Sequence, residues 1–357
     1  MPSSYAEINL DVLLQNFLRL QSYLKPGTKQ MSVIKADAYG HGAVRVAHVL
    51  ESYTDWFAVV NVDEAIELRE SGITKDILVF GPPTKTTVSA YPEYNLTAVI
   101  SHMDHFEILK EETAYHVEFD TGMGRLGIDC NSCDEVRTKI SQHEELYLKG
   151  VMTHFASADI PGDPKTAEQI KIFDQIREEF AYLPDILLHA ANTAGILCYP
   201  ESHYDMVRHG LGLYGYDSKL IADSKLKPVL QWKSCLVQCK WIQKGSTVSY
   251  GAQWTAPENG FLGVVPVGYA DGFKRNLGGK AKVSINGNYY PIVGRVTMDF
   301  IMVFLGDQYY DVGTDVIILG TNGNNADVMA QQIDTIPYEI LCGLHNRVKR
   351  FYLSTQD

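Results

Sequence analysis

Between residues 30 and 210, short β-branched apolar runs alternate with longer amphipathic segments, and that rhythm limits the chain to a parallel sheet built from βα units. Strands are predicted near Met31–Lys35, Trp56–Val60, Ile77–Phe80, Leu96–Ile100, His116–Phe119, Leu148–Thr153, Ile186–His189 and Asp205–Arg208. Helical patterns at Ala43–Glu51, Val62–Glu70, His105–Glu112 and Ala167–Phe180 separate several of them. Eight such strands predict closure into a (β/α)8 barrel of the TIM type.

After Tyr216 the rhythm breaks. From about Leu226 the chain is rich in Val, Gly and Tyr, with strands predicted at Val264–Tyr269, Lys282–Ile285, Tyr289–Val293, Phe300–Phe304 and Val316–Leu319 and a single helical pattern at Ala326–Ile333. The fold class expected is therefore α/β, a barrel over residues 1–222 followed by a mainly β domain over 223–357, with a first strand that can join the β domain. A chain of 357 residues has the length for both. Its charge of −12 is spread along the sequence, which argues against nucleic acid and anionic membrane as partners. No apolar run approaches the roughly 20 residues of a membrane helix. No secretory pattern opens the chain, and six scattered cysteines are too few for a disulfide scaffold, so the expected compartment is the cytoplasm. The Cys130–Cys133 pair lacks a second pair at zinc spacing, and no metal site is expected.

Polar residues at the C-terminal ends of barrel strands point into an active site. Lys35 ends the first strand behind an apolar run, where desolvation favours the neutral amine that a Schiff base requires. The fifth strand runs into Asp120-Thr-Gly-Met-Gly-Arg-Leu-Gly, whose Arg125 is a planar donor suited to a carboxylate. His154 follows the sixth strand; alone, such a histidine is more often structural. Asn192 and Thr193 follow the seventh before a helix start, and Arg208 precedes a Gly-flanked turn at the eighth. Loops after strands seven and eight commonly bind phosphate in barrels of this kind. A strand-end lysine, that anion cup and the absence of a metal cluster together suggest pyridoxal 5′-phosphate held as a Schiff base. The residues alone leave the reaction open.

With these motifs the sequence resembles the alanine racemase family. The resemblance rests on Lys35-Ala-Asp-Ala-Tyr-Gly-His-Gly, Asp120-Thr-Gly-Met-Gly-Arg-Leu-Gly, Thr153-His-Phe-Ala-Ser-Ala-Asp, His189-Ala-Ala-Asn-Thr-Ala and Val207-Arg-His-Gly-Leu-Gly-Leu-Tyr-Gly in the first part of the chain. Val248-Ser-Tyr-Gly, Val267-Gly-Tyr-Ala-Asp-Gly, Gly294-Arg-Val-Thr-Met-Asp and Thr335-Ile-Pro-Tyr-Glu carry it through the second. It implies an isomerase that interconverts L- and D-alanine and supplies D-alanine, a peptidoglycan precursor, for cell-wall synthesis. It implies a cytoplasmic homodimer in which Tyr250 reaches the partner's active site. Lys35 would hold the cofactor and act as one base, and Tyr250 as the other, because one fixed base tends to return the proton to the face it came from. The resemblance assigns Arg208 to the cofactor's ring nitrogen, oriented by His154. Tyr39, Asn192, Thr193, the backbone N–H groups of Gly210 and Leu211, and Tyr338 would bind the cofactor. Arg125 and the N–H of Met298 would hold the substrate carboxylate, with Tyr269 at the entrance, Arg275 beside Tyr250, and Asp299 in support.

Three positions depart from the family pattern. Glu118 stands where many members carry a carbamylated lysine and is expected to supply that negative charge directly; Thr193 replaces serine, and Phe300 a polar residue. Two rivals remain at this level: a decarboxylase of the same architecture, which lacks the use made here of Tyr250 and Arg208, and a single-barrel cofactor carrier, for which the second domain is superfluous.

Overall fold

The computed structural model describes residues 4–160, 162–216, 225–320 and 323–355. The expected boundary at 222/223 lies outside the described residues. Two compact units emerge from the contacts: Met1–Leu13 with Tyr39–His41 and Lys227–Asp357, and Leu14–Ala38 with Gly42–Leu226.

The chain opens with β1 (Ser4–Asn9) and α1 (Leu10–Gln21), then enters the barrel. The barrel strands are β2 (Lys29–Val33), β3 (Trp56–Val59), β4 (Asp76–Val79), β5 (Thr97–Ile100) and β6 (Ala114–Asp120), with the two-residue β7 (Ile128–Asp129) beside β6, then β8 (Tyr147–Met152), β9 (Leu187–His189) and β10 (Met206–His209). All eight predicted barrel strands are present. They pair in parallel in the order β10-β2-β3-β4-β5-β6-β8-β9. Asp205 N–H to Leu188 O (3.1 Å) and Arg208 N–H to Ala191 O (2.9 Å) join the last strand to β9, so the sheet meets itself. Between the strands run α2 (Lys35–Gly40), α3 (Ala43–Leu50), α4 (Val62–Glu70), α5 (Ala90–Glu93), α6 (His105–Ile108), α7 (Cys133–Gln142), α8 (Pro164–Phe180) and α9 (Thr193–Cys198). α8 starts three residues before its predicted first residue, because Asp163 caps it through the Lys165 N–H and Pro164 supplies a preset φ. α6 stops at Ile108, four residues short of expectation. Leu109 is extended, and Glu112, at φ +64°, turns to bond Glu145 O.

The other unit is a nine-stranded sheet that includes β1. Its remaining strands are β11 (Leu230–Cys235), β12 (Gln238–Ile242), β15 (Gly260–Val265), β16 (Lys282–Ile285), β17 (Asn288–Val293), β18 (Ile301–Gly306), β19 (Asp315–Leu319) and β20 (Lys349–Leu353); β13 (Thr247–Val248) and β14 (Trp254–Thr255) form a separate ribbon. α10 (Ala326–Gln332) and α11 (Pro337–Leu341) complete it. β1 runs antiparallel to β11 and parallel to β20, fixed by the 2.7 Å bond from Trp232 Nε1 to Ser4 Oγ. The strand expected at Val264–Tyr269 lies instead at Gly260–Val265, since Pro266 has no N–H for the ladder. Among the described residues no helix is long and apolar enough to cross a membrane.

Candidate active site

Lys35 stands two residues past β2, half-buried, with Nζ 5.9 Å from the Phe80 ring centroid. The turn that begins there winds the wrong way. Ala36, Asp37 and Ala38 have φ +52° and Tyr39 has φ +54°, a run of four L-residues in the left-handed region. Each such residue costs about 1–2 kcal/mol, and strain of this kind persists only where the surroundings over-determine it. Here Ala38 N–H bonds Ile34 O, Gly42 N–H bonds Asp37 O, and the Asp37 carboxylate accepts from Ala43 N–H, all at 2.8–2.9 Å. Gly40 closes the turn at φ +81°, where a Cβ would lie 2.4 Å from Leu341 O. Tyr39, 5 % exposed, has its ring centroid 5.5 Å from that of Tyr338.

Arg208, on β10, is 2 % exposed. Its Nη1 donates to His189 O (3.1 Å) and lies 2.9 Å from His189 Nδ1. Its Nη2 donates to Thr153 O and Ala190 O (both 2.8 Å) and lies 3.2 Å from His154 Nδ1. The Nε–H has no hydrogen-bond partner among the described residues, which leaves one directed donor on a guanidinium otherwise consumed. Burial lowers the Arg208 pKa to about 10, against which the Glu118 carboxylate raises it. Half-buried His154 is held well below the ordinary imidazole range by desolvation first, then by the charges of Arg208, Arg125 and Lys35. The sequence-predicted rim residues therefore act on one another electrostatically.

At the β9 end, Asn192 caps α9 by accepting from Gly195 N–H (2.9 Å), and Thr193 Oγ1 accepts from Gly210 N–H (3.1 Å) and Gly212 N–H (3.2 Å). The hydroxyl proton of Thr193 is then available for an anion. At the β6 end, Asp120 folds its loop by accepting from Gly122 N–H (2.9 Å) and Gly124 N–H (3.0 Å), which presents Arg125 exposed. No ion pair joins Glu118 to Arg125 among the described residues. Glu118 is 5 % exposed, and burial raises its pKa against the opposing charges of Arg208 first and Arg125 second.

In the β unit the singled-out side chains are exposed: Tyr250 71 %, Met298 53 %, Tyr269 40 % and Tyr338 37 %. Tyr250 lies in a tight turn entered through Ser249, whose hydroxyl donates to Arg295 O (2.7 Å). The arginine that the structure brings to this turn is Arg295. A methyl group built on Gly251 would lie 3.7 Å from its Cζ, whereas Arg275, exposed on another turn, makes no hydrogen bond or ring contact with Tyr250. Tyr269 N–H bonds Thr297 O (3.1 Å) and Ala270 N–H bonds Met298 O (3.0 Å), tying two of the motifs together. Asp299 is held by Arg347 Nη2 (3.0 Å), whose Nε meets buried Asp271 at 3.1 Å. Sequence reasoning missed Arg295 and the buried pair His116 and His189. The signal was present for His116, because positions 116, 118 and 120 are polar, alternate, and so share one face of an otherwise apolar strand.

Functional groups gathered at the C-terminal ends of a parallel eight-stranded barrel, in a chain that also builds a β-sheet unit, define a (β/α)8-barrel enzyme with an appended β domain. Two family descriptions match along the sequence: "Alanine racemase, N-terminal domain" over residues 8–218 and "Alanine racemase, C-terminal domain" over 229–352. The chain belongs to the alanine racemase family. It is 36 % identical over 368 residues to the alanine racemase of Symbiobacterium thermophilum, covering 99 % of this chain and 97 % of that one. It is 37 % identical over 361 residues to that of Streptococcus mutans, covering 97 % and 96 %. Among solved structures, alanine racemase from Clostridium difficile 630 superposes with a TM-score of 0.94 at 35 % identity, over 100 % of this chain and 97 % of that one. The Bacillus anthracis alanine racemase with bound L-Ala-P gives 0.93 at 29 % identity, over 100 % and 96 %.

Proposed function

We propose that this chain interconverts L- and D-alanine with pyridoxal 5′-phosphate as cofactor, working as a cytoplasmic homodimer of barrel (1–222) and β domain (223–357) subunits and supplying D-alanine for cell-wall synthesis. The observation that carries the reading is Arg208: every Nη donor is spent on the barrel, and the remaining Nε–H would suit a neutral ring nitrogen as acceptor. The residues fit the cofactor. Lys35 would supply the amine, the Thr193 hydroxyl, held by the Gly210 N–H, would form a phosphate cup with the Leu211 N–H beside Asn192, and Tyr39 and Tyr338 are proposed as further cofactor-binding residues.

When bound, the cofactor draws electrons from the substrate's Cα–H bond. Arg208 beside the ring nitrogen would give up no proton readily and would limit that withdrawal, favouring return of the proton over loss of the amino group. Lys35 takes or returns the proton on one face of Cα. Tyr250 of the partner subunit serves the opposite face, on a turn that Arg295 adjoins. Arg125 and the Met298 N–H hold the substrate carboxylate, Tyr269 guards the entrance, and Asp299 is braced through Arg347. Glu118 supplies a buried negative charge that steadies Arg208 and Arg125 without direct pairing to the latter. His154 accepts from Arg208 Nη2 and fixes its plane.

The test follows the circular dichroism of an L-alanine solution over purified enzyme with cofactor, with carbon dioxide measured alongside. Decay of the signal to zero without gas is expected. Gas release with the remaining alanine still of one hand identifies a decarboxylase and overturns the reading.

A further inference from the structure

A chain of hydrogen bonds leaves Arg208 on the side away from the strand ends and runs into the barrel. Arg208 Nη1 lies 2.9 Å from His189 Nδ1, and His189 Nε2 lies 2.7 Å from His116 Nδ1. A guanidinium only donates, so His189 Nδ1 accepts and its proton sits on Nε2. That N–H donates to His116 Nδ1, which places the His116 proton on its own Nε2. One cation thereby dictates the tautomer of two rings in series.

The seat for this pair is built into the backbone. Both rings are 0 % exposed. A Cβ at Gly150 would lie 2.8 Å from His116 Nδ1 and Cε1 and 2.5 Å from Leu187 O, so only glycine leaves room for the His116 ring between β8 and β9. Trp56 closes the far side edge-on, with centroids 5.2 Å apart, and His116 Nε2 has no hydrogen-bond partner among the described residues. A buried donor left unmet costs about 1–3 kcal/mol, and here it is the last link of the chain. Burial, then the charges of Arg208 and Lys149, holds His116 down to about 3, and His189 lies well below the ordinary imidazole range, so neither ring adds a second positive charge beside the arginine.

We propose that His189 and His116 are positioning residues for Arg208: a two-imidazole relay of fixed proton order that holds the Nη1 edge of the guanidinium and so aims its Nε–H. His116 acts by locking His189. Without an acceptor for its Nε2–H, His189 is free to move its proton to Nδ1, where it would confront Arg208 donor to donor and displace it. The aim of Nε–H toward a cofactor rests on the function proposed above; the proton order of the relay does not.

Enzyme labelled with ¹⁵N at histidine and loaded with pyridoxal 5′-phosphate provides the first measurement. Protonated and bare imidazole nitrogens resonate far apart, and His189 and His116 are both expected as neutral Nε2–H rings. A proton on Nδ1 of either ring, or a doubly protonated ring, overturns the relay. The second measurement compares His116→Leu with His116→Asn, whose Oδ1 can replace the Nδ1 acceptor. Leucine should move the absorption maximum of the bound cofactor and lower kcat about tenfold, as losses of outer hydrogen-bond partners do, with KM little changed; asparagine should restore both. An absorption maximum and kcat in His116→Leu equal to wild type overturn the proposal, and if that variant does not fold the ¹⁵N spectrum of the unaltered enzyme still decides. Correct tautomers in a protein that fails to racemise alanine support the relay and count against the proposed function alone.

Discussion

The barrel and the β unit place their functional groups under opposite conditions. In the barrel, Arg208 is 2 % exposed and held by five contacts, and Glu118 is 5 % exposed. In the β unit, Tyr250 is 71 % and Met298 53 % exposed, carried on short turns. The barrel orders its groups with its own interior. The β unit orders the turns beneath them, through Ser249 to Arg295 O and Ala270 N–H to Met298 O, and braces Asp299 through Arg347. Barrel substitutions should therefore be paid for in stability, and β-unit substitutions in activity.

The largest departure should come from Arg208→Leu, which strands the acceptors at Thr153 O, Ala190 O and His189. A loss of about 3–5 kcal/mol is expected in chemical denaturation, the range for breaking a buried charged network; a loss under 1 kcal/mol would erase the contrast. Tyr250→Phe should lower kcat about a hundredfold while leaving the midpoint of unfolding and the cofactor content where they were. A large drop in unfolding midpoint would show Tyr250 packed in the isolated subunit. Acid should single out the barrel as well. His116 and His209, both 0 % exposed, are each lowered to about 3 by burial first. The unfolded chain takes up their protons near pH 6.5 while the folded barrel does not, so stability is full above 6.5 and falls as pH drops toward 3, by about 1.4 kcal/mol per pH unit for each ring. His209 stacks on Phe17 at 5.0 Å and neither ring nitrogen has a hydrogen-bond partner among the described residues, so His209→Phe should flatten that slope by one proton in thermal melts run from pH 7 to 4.5. An unchanged slope would contradict the burial. The smallest effect is expected from Ala36→Gly, at an exposed position with φ +52°, where relief of the left-handed strain should raise stability by about 1 kcal/mol.

Much of this architecture was legible in the sequence because barrel strands covered on both faces are short and mostly apolar, a signature that is clear in β3, β4 and β5 and diluted in β6 and β10 by the polar residues they carry. The join of β1 to β11 and β20 was weaker as a signal, since its partners lie more than two hundred residues away and periodicity reports only neighbours. Pro266 fixes where β15 ends, but the apolar run continues through Val267 and conceals it. In the site, Lys35, Arg208 and Thr193 announce themselves by their place at strand ends. His116 and His189 do not, because a buried histidine's role depends on which atoms face it, and those come from three strands. Arg275 and Arg295 occupy similar Gly-rich stretches, and only the folded turn shows that Arg295 adjoins Gly251.

The turn from Ala36 to Tyr39 has a consequence for how this stretch accepts mutation. Elsewhere in a helix-like segment, alanine is the best tolerated residue and glycine or asparagine among the worse. Where L-residues wind in the sense natural to their mirror images, that ranking inverts. A saturation library across positions 36 and 37 should enrich glycine, asparagine and aspartate and deplete valine, isoleucine and threonine, and Asp37, whose carboxylate also takes the Ala43 N–H, should be the hardest of the two to replace. The chain beside its own lysine would thus read, to selection, as though written in the opposite hand.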